Sequence, residues 1–326
     1  MPTKPARRKA RSASAIERHA HGGYERLLHA AQALPAIRVA VAHPCSAEAL
    51  QAAIESRDEG LIVPVLVGPR ARIDALAKQA GIALAGVERV DAEHSHASAE
   101  AAVSLARDGK VAAVMKGSVH TDELLHAVLD RDKGLRTERR VSHAFLMDVP
   151  KYPRPLLITD AAVNIAPTLA EKADILQNAI DLMHRLGYKA PRVAILSAVE
   201  TVNPAIASTI DAAALCKMVD RGQVSGAIVD GPLAFDNAVS SEAARIKGID
   251  SPVAGRADVL LVPDLESGNM LYKQLVYLAD ADAAGVVLGA RVPIILTSRA
   301  DSLRIRLASC ALAVVLASSP RGEKGR

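Results

Sequence analysis

The sequence predicts an α/β protein of two domains, each a mainly parallel sheet flanked by helices, and three observations lead there. Short apolar runs of strand length alternate with longer amphipathic stretches, which is the signature of βα units. The apolar half of the composition is Ala, Val, Leu and Ile, with two Phe and no Trp, the small branched stock of sheets covered on both faces. A chain of 326 residues suits two cores better than one.

The strands follow in order. Residues 37–43 (IRVAVAH), 61–67 (LIVPVLV), 111–116 (VAAVMK) and 143–148 (HAFLMD) read as the first four. Residues 156–159, 192–197 (RVAILS), 226–230 (GAIVD), 258–263 (DVLLVP), 286–288 and 293–297 (PIILT) complete the set. Between them, 46–57 and 169–186 carry apolar residues three and four apart, as amphipathic helices do, and 302–316 reads as a last helix. Pro150, Pro153 and Pro155 interrupt any helix or central strand and mark a seam. The expected division is a basic, disordered tail over 1–22, a first domain of 23–150 plus 298–326, and a second of 151–297.

Charge excludes more than it suggests. Residues 1–26 hold seven Lys or Arg against two Glu, so the net charge of +4 is a property of the tail. Duplex binding needs a charged face on the folded body, and base stacking needs aromatics that are nearly absent, so no nucleic-acid partner is expected. No run approaches the ~18 apolar residues of a membrane span, and the tail has no apolar core of a secretion signal. Cys45, Cys216 and Cys310 are scattered and odd in number, without zinc spacing. A reducing cytoplasm, no metal and no membrane partner are the expectation.

Ligands of open α/β sheets sit beyond the carboxyl ends of strands. Four strand-end loops are polar or glycine-bearing. The first holds Lys116, Gly117, Ser118, His120, Thr121 and Asp122, whose backbone N–H groups ahead of a helix suit an anion; the alternative is a plain cap by Thr121 or Asp122. The second, 230–237, reads as a tight turn with backbone-bonded Asp230 and Asp236 rather than a metal site. The third carries Asp264, Gly268, Asn269 and, on the following helix, Lys273, with Gly-Asn permitting positive φ and close approach to a ligand. The fourth carries Ser298, Arg299 and Asp301: a hydroxyl, a guanidinium that matches a tetrahedral oxyanion, and a carboxylate able to accept a proton. No dinucleotide fingerprint, P-loop or nucleophile elbow is present. Of the histidines, His120 alone falls in one of these loops.

The same loops resemble the phosphate acetyl/butyryltransferase family, nearer its butyryl branch. The likeness begins at VAVAHP (39–44) and GLIVPVLVGP (60–69), and is dense in TIDAAALCKMVDRGQVSGAIVDGPLAFDNA (209–238). It continues through SPVAG (251–255), VPDLESGNM (262–270) and GARVPIILTSRADS (289–302). The resemblance implies two α/β domains with an active-site cleft between them, like those of isocitrate and isopropylmalate dehydrogenases, and a homodimer. It implies reversible transfer of an acyl group between coenzyme A and phosphate, with coenzyme A as substrate and no tightly bound cofactor. It places Ser298 and Arg299 at phosphate and thioester. The acetyl branch has an Asp further along the last helix where this chain has Ile305, leaving Asp301 as the substitute proton acceptor; where that branch has an Arg after the first loop, this chain offers His126. The competing readings are an NAD-dependent 2-hydroxyacid dehydrogenase of the isocitrate type and a non-catalytic two-lobed sensor.

Overall fold

The structure, a computed structural model, describes residues 22–298 and 301–318. The basic tail read over 1–22 therefore lies, but for Gly22, outside the described residues, as does Arg299.

Eleven strands form one sheet: β1 (Ile37–Ala42), β2 (Ile62–Val67), β3 (Glu88–Val90), β4 (Ala113–Lys116), β5 (Ser142–Asp148), β6 (Leu156–Thr159), β7 (Arg192–Leu196), β8 (Ile228–Leu233), β9 (Val259–Leu261), β10 (Asp282–Leu288) and β11 (Ile294–Ile295). Their order is β3-β2-β1-β4-β11-β10-β5-β6-β9-β7-β8. The helices are α1 (Gly23–Gln32), α2 (Ala47–Asp58), α3 (Arg70–Ala80), α4 (Ser95–Arg107), α5 (Thr121–Leu129), α6 (Leu169–Arg185), α7 (Ala207–Asp220), α8 (Phe235–Val239), α9 (Ser241–Ile246), α10 (Leu265–Leu278) and α11 (Leu303–Ser318).

Every strand read from the sequence is present, within a few residues at its ends. The sheet adds β3, whose ERV has no apolar run to betray it and which pairs only with β2 at the edge. All neighbours run parallel except at the centre, where β10 is antiparallel to both β11 and β5, and β5 to β6. That reversal has a consequence for function. The carboxyl ends of β1, β4 and β11 leave one edge of the sheet, while those of β6, β9 and β7 leave the other. The prolines at 150, 153 and 155 fall in the connection between β5 and β6.

Alternation along β1 shows how both faces are filled. Val39 and Val41 point with Met115 toward Leu50, Ile54 and Ile73, whereas Ala40 and Ala42 face Ala102, Val103, Leu124 and Val128. Each fully buried Leu or Ile in such a layer contributes ~1.5–3 kcal/mol. Small Ala side chains on β1 let α4 approach closely, and α5 packs against α4. The second half repeats the scheme, with α6 and α7 over one face and α8 to α10 over the other. Helix α11 is apolar all round and buried from Ile305 to Leu316, as a helix wedged between layers must be. Arg306 is the one charge in that stretch. Its burial is the first sign of a site.

Candidate active site

Beyond the carboxyl ends of β1, β4 and β11 lies a cavity of about 420 Å³. His43 and the start of α2 (Ser46, Glu48) form one wall, and Lys116, Gly117, Ser118 and His120 another. Thr297, Ser298 and Arg306 close the third, with Arg72, Ser95 and Glu123 at the rim. Two of the loops picked out in the sequence thus meet here, although some 180 residues separate them.

Gly117 makes the first loop possible. A Cβ there would sit 2.7 Å from the carbonyl oxygen of His43 and closer still to that of Ala42. The loop is consequently stitched to β1, with Gly117 N donating to Ala42 O at 2.9 Å and Ser118 N to His43 O at 2.8 Å. This corrects the sequence reading, in which those two amides would face an anion: a β1 extension has taken them. His120, not Thr121 or Asp122, is the cap residue of α5, and Thr121 opens the helix without lining the cavity. Anion attraction rests instead on side chains. Lys116 is only 5% exposed and Arg306 only 6%, so both cations act through little water.

Arg306 also holds the fourth loop. Its Nη2 donates to Ser298 O and its Nε to Asp301 O, each at 3.2 Å. Asp301 ties the same loop from within: one carboxylate oxygen accepts Ser298 N at 2.6 Å and the other the Tyr272 hydroxyl at 3.2 Å. Burial pushes the Asp301 carboxyl above its usual range, against the Ser298 amide, the Tyr272 hydroxyl, Arg306 and Lys116, which favour its charge. Tyr272 stacks on Phe145, ring centroids 3.6 Å apart, so α10 braces a loop on the far side of the reversal. Ser302 caps α11 through Ile305 N at 3.3 Å.

The third loop does not join this cavity. Asp264 caps α10 by accepting Ser267 N at 2.8 Å, and lines a separate cavity of about 910 Å³ with Leu196, Phe235 and Leu271. Gly268 and Asn269 are helical, not a positive-φ turn, because the Asp264 cap starts the helix ahead of them. Gly268 is needed for packing, since a Cβ would meet Val262 at 2.7 Å and Ala161 at 3.0 Å. Asn269 donates to Ala161 O, and Lys273 is exposed. In the second loop, Asp230 and Gly231 lie within β8, the Asp230 carboxylate accepting Gly231 N at 2.8 Å, so the expected turn is strand. Asp236 keeps backbone contacts at Asn237, as read from the sequence, and pairs in addition with Lys247. His126 is exposed on α5, off the cavity. Among the described residues no group of three or more His, Cys, Asp or Glu is placed to hold a metal, and no helix is long and apolar enough to cross a membrane.

Sequence reasoning missed His43, Arg72, Ser46 and Arg306. The strand-end rule would have found His43, the residue after β1. Arg306 had a signal too, as a lone charge in an otherwise apolar helix.

The family model described as phosphate acetyl/butaryl transferase matches residues 97–314. A phosphate acetyltransferase of Rhizobium meliloti is 59% identical over 92% of this chain and 95% of its own length. A phosphate butyryltransferase of Clostridium acetobutylicum is 42% identical over 86% of this chain and 94% of its own. The identities therefore lend no support to a place nearer the butyryl branch. Among solved structures, a branched-chain phosphotransacylase from Enterococcus faecalis V583 superposes with a TM-score of 0.77 at 31% identity, covering 86% of this chain and 99% of that one. Fold, cavity and similarity agree: the chain belongs to the phosphate acetyl/butyryl transferase family.

Proposed function

We propose that this enzyme is a phosphate acyltransferase that moves a short acyl group, acetyl to butyryl, reversibly between coenzyme A and inorganic phosphate. The observation that carries the reading is the convergence of Lys116, Ser298 and Arg306, from three separate elements, on one cation-lined cavity. A volume of about 420 Å³ accommodates phosphate and the acyl-thioester end of coenzyme A, leaving the nucleotide outside. Lys116 and Arg306 neutralise the phosphate dianion and hold one oxygen in line with the thioester carbonyl. Arg299, by its position in the family pattern, adds a planar fork to the same anion. Ser298 and His120 supply polar contacts at the carbonyl and the phosphate. Attack forms a C–O bond and a tetrahedral oxyanion, whose collapse breaks C–S. The leaving thiol, with a pKa of ~8.5 in model compounds, departs readily once protonated. Asp301 keeps Ser298 and its loop in register.

Of the third loop, Lys273 is the residue we keep for the outer phosphates of coenzyme A; it is exposed beside Tyr272 on α10. The packing described above accounts for Asp264, Gly268 and Asn269. The proposal includes two lobes, 23–150 with 298–326 and 151–297, substrates entering between them, a homodimer, a cytoplasmic location and no tightly bound cofactor. Two apolar clusters lie over the first half of the sheet and two over the second, which supports two lobes, with Tyr24, Phe145, Met147 and Leu312 of the first packed into the clusters of the second. The test is thiol release from acetyl-CoA and butyryl-CoA with a thiol-reactive dye. Release should require phosphate or arsenate; equal release without either anion points to a hydrolase and defeats the reading.

A further inference from the structure

His43 is the first residue beyond β1, and its backbone is in the left-handed region at φ 54. That region is sparsely used by non-glycine residues, with His among those that tolerate it. Two amides fix it there, since Cys45 N and Ser118 N both donate to its carbonyl, at 2.7 and 2.8 Å. The residue is 8% exposed, and Nδ1 lies 3.1 Å from the Ser98 hydroxyl oxygen.

Ser98 decides the tautomer. Its hydroxyl has one hydrogen, which goes to His94 O at 2.7 Å. Toward His43 it can only accept, so Nδ1 carries the N–H and Nε2 carries the lone pair. Nε2 has no hydrogen-bond partner among the described residues, yet it is not among the side-chain atoms sealed from solvent without one. His43 lines the cavity, and with Nδ1 taken by Ser98, Nε2 is the ring nitrogen left to serve it. Burial holds the imidazole below its ordinary value; Arg72 on α3 and His94 at the cap of α4 act the same way, against Glu123 on α5. Lys116 and Arg306 lie on the other walls. The ring is therefore neutral, with its lone pair fixed on Nε2 in the wall of an anion site.

The other acceptors are worse placed. Asp301 has both oxygens bonded, to Ser298 N and the Tyr272 hydroxyl, and stands behind Ser298. Hydrogen bonds from its own backbone and Ser46 keep Glu48 below the usual carboxylate range. Glu123 is also low, despite burial, through Ser95, His96 and His120. Both carboxylates are thus weak bases, and His120 is exposed with no such lock on its ring.

We propose that His43 is a catalytic proton carrier of this site, its Nε2 taking the proton of monoprotonated phosphate as that oxygen attacks and delivering it to the coenzyme A sulfur. The inference rests on the acyltransferase reading. The phosphate oxygen bonds the carbonyl carbon, the C–S electron pair returns to sulfur, and one proton moves from phosphate to Nε2 to sulfur. In reverse, Nε2 takes the thiol proton. Ser98 is a positioning residue that fixes which nitrogen is available.

Thiol release by wild type establishes the reaction first; failure there defeats the underlying reading and not this one. Given activity, His43→Gln should lower kcat by ~10²–10⁴ and abolish the acid limb of the pH–rate profile, which in wild type lies below the ordinary imidazole pKa of ~6.5. The KM for phosphate should change little. Ser98→Ala, which spares the ring but frees its tautomer, should lower kcat by up to about tenfold at unchanged phosphate KM. It carries the test alone if His43→Gln does not fold. An acid limb that survives His43→Gln and vanishes in Asp301→Asn overturns the proposal, as does unaltered kcat in Ser98→Ala and His43→Gln.

Discussion

Arg306 gives the sharpest separation between a site built by side chains and one built by backbone amides. In Arg306→Met the volume within α11 is roughly kept, while the cation and its fork are lost. Two bonds disappear, to Ser298 O and Asp301 O, each 3.2 Å long. Hydrogen bonds to charged groups contribute ~1.5–3 kcal/mol, and bonds at the long end of the range belong near the lower figure. Their joint loss loosens the loop by ~3 kcal/mol. Most of that should appear in the transition state, where the loop must hold phosphate in line. The expected fall in kcat/KM for phosphate is ~10²–10³, with phosphate KM rising more than acyl-CoA KM. Arg306→Lys should recover part, keeping the charge and reaching one carbonyl but not both. The assay is dye-monitored thiol release against phosphate concentration, with thermal melting to confirm the fold. Arg306→Met that folds and stays within about threefold of wild type would refute the reasoning, and the anion would then belong to backbone.

Three further perturbations follow from named geometry. Gly117→Ala must push the first loop off β1, so stability should drop ~1–3 kcal/mol with loss of turnover; wild-type melting and kcat together would contradict the close approach. His143, wholly buried and held by burial at about 4 against a weaker pull from the Leu296 backbone, must stay neutral to fold. The unfolded chain binds that proton from ~6.5 downward, so stability is lost as pH falls from there toward 4, by ~3 kcal/mol. Urea titrations should show a shallower acid slope for His143→Gln, and an identical slope would remove His143 from the account. Arg299→Ala should cost ~10²–10³ in rate, Arg299→Lys restoring only part; near-normal kinetics in a folded Arg299→Ala variant would make it a surface residue.

The strands were legible because each is a compact apolar run bounded by polar or proline-bearing loops, as in IRVAVA and LIVPVLV. The exception, β3, stabilises an edge through three ladder residues and buries little. Strand direction was not legible: nothing in residues 282–288 announces that β10 runs against both neighbours, since an apolar run reads alike either way. That reversal sends the loop after β9 to the opposite edge from those after β4 and β11, which is why two of the favoured loops meet and the third does not. Gly268 was misread for a related reason. A glycine beside Asn suits a turn locally, but here it is spent on helix packing against Ala161 and Val262, a contact with partners more than a hundred residues away in one case. His43 depends on the same long-range information through Ser98, whereas Arg306 bonds Ser298 only eight residues away, and what its own segment does not announce is the cavity shared with His43 and Lys116.

The central claim is that phosphate itself attacks the thioester. Incubating the enzyme with butyryl-CoA and phosphate carrying ¹⁸O at all four positions, followed by mass spectrometry, tests it directly. The account predicts acyl phosphate retaining all four labelled oxygens, formed in step with free thiol and absent when phosphate is omitted. Free carboxylic acid carrying solvent oxygen, released at the same rate with or without phosphate, would contradict it.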